Sequence, residues 1–416
     1  MRDIRGRRGE AALVRTVGAL LARPRFRYLM IAQLLARAPI GLWPIGMLLL
    51  VEERTGSYAA AGLVAAMMTA GRAVGTPVVS RAVDRWGLRR VIGATAAGSS
   101  LAGIALAVLP AGASPATGTL VLTNALALVS GLLNPPVQPA VRALLPAMVS
   151  PEQRAGAFAV DASAQEIIFV FGPLLAFGIS NAAGPAWAIV TGAALQLVGA
   201  VGVLVASGGA VVPRAEPEPS RGRRSVLREP AILAGAAVSL LLVAANSAVE
   251  AAVAAEFGGH GLTGGVLLAA YSLASLAGGL LFARWTSDRW AQARWLALVA
   301  LGLALASAWL DPAWLCASLV VAGLGVAPVF ASVAGRVSAA SPAARATEAF
   351  GWVDSGAIIG ASVGFAAAGA VIGTGGVAQA LVLSAALAVA AALLAAATRG
   401  RVDGPVTPRG GAVRSG

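Results

Sequence analysis

The chain has 416 residues, 58% of them hydrophobic and 12% charged, with a mean hydropathy of +0.81. Soluble chains carry roughly a quarter charged residues, so a packed water-soluble enzyme is a poor fit. The net charge of +13 would suit a nucleic-acid surface, but every basic residue is an arginine, and nearly all fall in short loops, tails and one linker between apolar runs. That is a membrane topology signal, and it excludes nucleic acid as the expected partner.

The apolar runs approach the ~20 residues that a helix needs to cross hydrocarbon. In lipid a helix satisfies its own backbone groups, and the period-two alternation of a transmembrane barrel is absent. The expected fold is therefore an all-α polytopic membrane protein.

In chain order, residues 1–25 form a basic cytoplasmic tail in which Arg15 interrupts the apolar run, so it does not read as a cleaved signal peptide. Leu13, Val17, Leu20 and Leu21 have helical spacing, which leaves open a short helix on the bilayer surface or a floppy tail. Spans are expected at 26–51, 58–79, 91–110, 118–142, 157–180 and 186–206. Residues 208–229 hold Pro213, Pro217 and Pro219 among arginines and read as a flexible cytoplasmic linker. Six more spans follow at 231–255, 264–283, 295–310, 313–336, 347–372 and 377–398, and a basic tail, 399–416, closes the chain. The expectation is twelve transmembrane helices in two six-helix bundles, 26–207 and 230–398. The single Cys316 and single His260 supply neither a disulfide nor a metal site, and no cofactor is expected.

Two loops recur. Asp84-Arg85-Trp86 returns as Asp288-Arg289-Trp290, each between the second and third spans of its half. Ser150-Pro151-x-x-Arg154-Ala155 returns as Ser341-Pro342-x-x-Arg345-Ala346, followed by Phe158 and Asp161 in one half and Phe350 and Asp354 in the other. Matched loops at matched positions indicate parallel six-span repeats. With both termini in the cytoplasm, all arginines but Arg37, Arg54 and Arg72 lie on the cytoplasmic side.

The stretch Asp84-Arg85-x-Gly87-x-Arg89-Arg90 resembles the loop signature of the major facilitator superfamily of transporters, with Ser80 and Leu88 departing from its usual pattern. The resemblance implies that Asp84 meets the N-terminal end of the eleventh helix, a place that favours a carboxylate. It further implies that Arg85, Arg89 and Arg90 pair with acids or face anionic lipid heads, that Gly87 permits a tight turn, and that Asp288 and Arg289 form a second latch. In the fifth span, Gly172-Pro173 with Gly178 resembles the glycine-proline signature of the family's exporters. The mid-span arginine usual in the fourth helix of proton-driven drug exporters is missing, with Arg142 only near the cytoplasmic end.

Charges inside spans are costly and point to function. Counting ~1.5 Å per residue places Arg37 and Glu166 near the midplane. They are expected to pair, with Glu166 exchanging protons; a static ion pair, or an arginine that binds an anionic substrate, are the alternatives. Arg72 and Asp161 are expected nearer the hinge, and Glu250 near the outer end of the seventh span. The run Asn134-Pro135-Pro136-Val137-Gln138-Pro139 should break or kink the fourth helix, making Asn134 and Gln138 cavity candidates. Gln33 and Asn246 join them, because the resemblance puts their helices on the cavity. Gly356, Gly360 and Gly364 are spaced for close helix approach.

No phosphate loop, nucleophile elbow or His-Glu-x-x-His run appears, so an enzyme is not expected. The expected function is secondary active transport of a small molecule across the cell membrane by rocking two halves, as proton-coupled efflux of an amphipathic compound by a monomer embedded in membrane lipids. Uptake of a sugar or organic anion, with Arg37 as the anion's ligand, is the rival within transport. A non-transporting membrane scaffold or sensor is the rival outside it.

Overall fold

The structure is a computed structural model that describes residues 18–109, 117–150, 153–208, 229–282, 290–340 and 346–402. The linker, most of both tails, and the second hinge residues Asp288 and Arg289 lie outside the described residues. After a short helical stretch at 18–22, the elements in order are α1 (Pro24–Ala36), α2 (Pro39–Thr55), α3 (Tyr58–Trp86), α4 (Leu88–Val108), α5 (Thr117–Leu132), α6 (Val137–Met148), α7 (Arg154–Ala183), α8 (Pro185–Ser207), α9 (Pro230–Phe257), α10 (Thr263–Leu281), α11 (Ala291–Ala306), α12 (Pro312–Ala340), α13 (Ala346–Gly375) and α14 (Val377–Val402). No strand occurs among the described residues. Because α1 with α2 and α5 with α6 each make one interrupted segment, the helices form twelve apolar segments. Eleven are long and apolar enough to cross a membrane, and α11 is shorter.

Both interruptions have a covalent cause. Proline has no N–H to continue a helical ladder. At Pro39 the chain takes a turn through Arg37 and Ala38, and α2 restarts with Ile40 N–H donating to Arg37 O at 3.0 Å. The first span, expected as one helix over 26–51, is thus two. At Asn134–Pro136 the backbone leaves the helix entirely, as the proline run leads one to expect. The ninth span, expected to reach 310, stops at Ala306, because the Asp311 carboxylate already accepts the Ala313 and Trp314 N–H groups at 3.0 Å to start α12. Near the N-terminus, Leu20 is fully buried against Phe26, Leu29, Val141 and Val203, so this part of the tail packs on the bundle.

Helix ends are closed by guanidinium groups in two places. Arg25 donates to Ala206 O at 3.0 Å and Ser207 O at 3.3 Å at the end of α8. Arg54 donates to Leu106 O at 3.0 Å and Ala107 O at the end of α4. Those carbonyls have no partner within their own helix, and the cation also meets the negative end of its dipole.

The outside of the bundle is apolar. Val74, Leu101, Val198, Leu280 and Leu393 are each at least 60% exposed, which suits hydrocarbon and not water. Inside, small residues mark the places where helices cross. Between lipid-soluble helices there is no hydrophobic drive to associate, so contact depends on close backbone approach. Gly356, Gly360 and Gly364 of α13 lie directly against the carbonyls of Ala236, Leu240 and Ala244 of α9.

The two halves meet through α3 with α13, α7 with α10, and α2 with α9. The first two contacts are the same pairing exchanged between the repeats, second span with eleventh and fifth with eighth. Gly62 and Gly369 make the α3–α13 crossing, where a Cβ added to Gly62 would stand 2.8 Å from Gly369 Cα. Tyr58 OH donates to Ala255 O at 3.1 Å, Ser362 Oγ to Ala66 O at 2.8 Å and Ser272 Oγ to Phe169 O at 3.1 Å. The Asn181 amide spans the α9–α10 turn, donating to Gly258 O at 3.1 Å and Gly261 O at 2.9 Å and accepting from Gly261 N–H at 3.1 Å. Every one of these described ties lies between mid-bundle and the end that carries the turns at Gly56, Gly184 and Gly261.

Gly360→Leu would drive a side chain into the α9 backbone and is expected to destabilise by about 3 kcal/mol or more. Gly351→Leu, at a site with open space around it, should be nearly neutral. Thermal unfolding of the two variants in detergent checks the contrast; equal midpoints would mean that α9 and α13 are not in backbone contact.

Candidate functional site

The turn between α1 and α2 exposes a side chain to the interior that a continuous helix would carry past. Arg37 stands at this turn and is only 4% exposed. Its Nη2 donates to Gln165 Oε1, and its Nη1 lies 3.8 Å from Asp161 Oδ1. Asp161 and Gln165 are four residues apart on α7, so they share a face. Asp161 is fully buried and its Oδ2 accepts from Arg142 Nε at 2.6 Å; the Arg142 side chain is about half exposed. The aspartate therefore sits between a buried guanidinium and a partly exposed one, joining the α1–α2 turn, α6 and α7. Arg37 Nε and Nη1 and Asp161 Oδ1 have no hydrogen-bond partner.

This corrects the expected pairing of Arg37 with Glu166. One residue beyond Gln165, Glu166 is turned ~100° around the helix. It is half-buried and has no ion-pair partner among the described residues. Asp161, expected to support the hinge, takes the place assigned to Glu166. Arg72 also lies away from the hinge, midway along α3, where it lines a cleft with Pro39, Trp43, Met68 and Asn134. Its Nε is buried without a partner. Gln33, expected on the cavity, is fully buried and donates to Met30 Sδ at 3.2 Å, so it packs inside the half. Gln138 is half-buried on α6.

In the C-terminal half, Asn246 Oδ1 accepts from Tyr271 OH at 2.7 Å. Glu250 lies one turn further along α9, on the Asn246 face and near Tyr271. No described residue forms a salt bridge with it. Tyr271 was not among the expected site residues, although a tyrosine amid an apolar span, in a chain with three tyrosines in all, is a usable signal.

The glycine-proline element serves as a crossing. Gly172 meets Gly41 of α2, while Gly265 of α10 approaches the Pro173 carbonyl on the other side and Gly178 faces Leu262. At the hinge, Gly87 has φ +88° and directly joins α3 to α4. Arg85, Arg89 and Arg90 are exposed, and Arg85 reaches over the Trp86 ring at 5.9 Å. The Asp84 side chain lies outside what is described. No cluster that could hold a metal ion is found among the described residues.

Asp161→Asn would leave Arg37 buried without its counter-charge, a loss of about 3–5 kcal/mol. Arg37→Met should cost less, since Asp161 keeps Arg142. In the double variant the losses should add to less than their sum, because neither buried charge remains. Thermal unfolding of all four proteins provides the cycle; strict additivity would mean that the two side chains do not interact.

A sequence profile described as Major Facilitator Superfamily matches residues 29–248 and again 231–414. No curated protein sequence is similar enough to match. Among solved structures, the bacterial homologue of the human lysosomal transporter Spinster, inward-facing and unoccupied, is similar with a TM-score of 0.70 at 14% identity, over 91% of this chain and 98% of that one. The nucleoside transporter NupG, in a mutant form, is similar with a TM-score of 0.69 at 15% identity, over 89% and 98%. A bacterial homologue of the iron transporter ferroportin, inward-facing, gives 0.68 at 14% identity, over 90% and 98%. At such identities the likeness is one of fold. The profile match over both halves, on an all-helical bundle whose segments repeat six by six, means that the chain belongs to the major facilitator superfamily and is a membrane transporter, not an enzyme.

Proposed function

We propose that the chain is a secondary transporter of the plasma membrane that expels an amphipathic compound in exchange for protons, by rocking its two halves. The ties described between the two halves carry the rocking part of this reading. Hydrogen bonds between the halves gather toward the Gly184 end, and these include main-chain acceptors on both sides of the interface. The arginine distribution puts the termini, the linker and the Gly87 turn in the cytoplasm. The Gly184 end then faces outward, held by the described ties, while the direction of export rests on the Gly172-Pro173 element and the sparse polar groups of the spans.

Proton coupling is supported by two carboxylates without ion-pair partners among the described residues. Glu166 on α7 and Glu250 on α9 sit in membrane-spanning helices of opposite halves. An ionised carboxylate there is expensive unless water or a proton reaches it. Alternating exposure would load and unload that proton as the cavity changes side.

The seal can be tested by bridging it. A Cβ on Gly373 would stand 3.7 Å from Ala59 Cβ, close to the ~3.8 Å spacing of a disulfide. In a Cys316→Ser background, oxidised Ala59→Cys/Gly373→Cys protein in liposomes is expected to lose solute flux and to regain it on reduction. Undiminished flux with the bridge formed would overturn alternating access; no flux in either state for any solute of a mixed library would favour a scaffold. With a pH-sensitive dye inside the liposomes, Glu166→Gln should uncouple solute movement from proton movement. An unchanged proton signal in that variant would move the coupling role to Glu250 or to another ion.

A further inference from the structure

Arg72 is a cation inside a membrane-spanning helix whose charge nothing described answers. Its Nε is buried and makes no hydrogen bond, and neither ion pair among the described residues includes it. The one fully buried carboxylate described in this half, Asp161, is already engaged by Arg142 at 2.6 Å and by Arg37 at 3.8 Å. Arg37 and Arg72 are near enough to repel one another. Glu166, also on a span of this half, makes no ion pair with Arg72 either. An unanswered charge at such depth costs several kcal/mol, and a ligand that supplied the counter-charge would recover that cost.

The cleft beside Arg72 has room for little more than a small group such as a carboxylate head, which Ser130 and Asn134 line with polar atoms and Pro39, Ile40, Trp43 and Met68 wall in. The Trp43 indole N–H is already spent on Ile189 O at 3.0 Å, which leaves its ring as an apolar surface. Asn134 stands where α5 has stopped and α6 has not begun, so its amide makes only a 3.5 Å contact with the Pro135 carbonyl. A planar guanidinium pairs well with a carboxylate in a two-point fork.

We propose that Arg72 and Asn134 form the head-group end of the cargo site, and that the cargo is an organic monoanion: a carboxylate carried on an apolar or aromatic body. This deepens the transport reading and rests on it. One unanswered guanidinium calls for one negative charge. A di-anion would bring a second charge that Arg72 alone does not answer and should be a poorer ligand.

The test is equilibrium binding to the full chain in nanodiscs, with benzoate, 1-naphthoate and decanoate each compared with its neutral methyl ester. The carboxylates should bind at least roughly tenfold tighter than their esters, the scale of one charge-assisted hydrogen bond. Arg72→Gln should abolish that preference while leaving ester binding in place, and Arg72→Lys should restore part of it. The wild-type comparison needs no variant, so a misfolded mutant does not shield the idea. Equal binding of acid and ester across all three pairs overturns it, as does a preference that survives Arg72→Gln in folded protein. Binding is read without flux: a chain that transports but shows no preference for the anion sinks this inference alone. A chain that prefers the anion yet moves nothing sinks the transport reading instead.

Discussion

A guanidinium in the middle of a bilayer-sized bundle must be met by something, and Arg37 is met by α7. That single demand fixes much of the N-terminal half. The turn at Arg37 and Ala38 lets the side chain point inward, α7 supplies Asp161 and Gln165 from one face, and α6 supplies Arg142 to hold the other oxygen of the aspartate. Three segments far apart in sequence are tied by one carboxylate. Both helix interruptions of this half, at Pro39 and at Asn134–Pro136, lie beside this cluster or the Arg72 cleft, so irregular backbone and buried charge share one region. Irregular backbone at membrane depth is tolerated where protein or a water-filled cavity covers it, which is the situation here.

Around this region the packing is carried by glycine and alanine. Small side chains let helix backbones touch within and between the halves, and residues such as Phe177, Phe365 and Leu48 fill the space between the crossings. Dispersion between close backbones then does what the hydrophobic effect does in water. Where bulky side chains do cross between the halves, Phe177 and Leu49 lie against Gly264 and Gly258, so glycine makes room for them as well.

Much of the architecture was legible in the sequence because bilayer thickness imposes a length on every span and the arginines mark one side. The break in the fourth span was legible too, since three prolines in five residues leave no alternative. The break in the first span was not: nothing local around Pro39 distinguishes a kink from a full turn. That omission explains the misassigned partner of Arg37. Asp161 lies about 7.5 Å nearer the start of α7 than Glu166, and the turn at Arg37 and Ala38 sets the guanidinium against the Asp161–Gln165 face. Rotation is set by what α7 packs against, Gly41 and Gly265 among others, and such contacts are not written in any local pattern. The Tyr271–Asn246 pair escaped for the same reason, being a contact between neighbouring helices.

The seal at the Gly184 end has one further property. Its hydrogen bonds run from an asparagine amide, a tyrosine hydroxyl and two serines to main-chain groups. No member of these bonds is ionised, so neither acidity, ionic strength nor the electrical potential across the bilayer acts on them directly. Sensitivity to those variables has to enter through the arginines and carboxylates deeper in the bundle. The molecule thus separates a chemically inert clasp from an electrically responsive interior, and the clasp behaves alike whatever the medium outside.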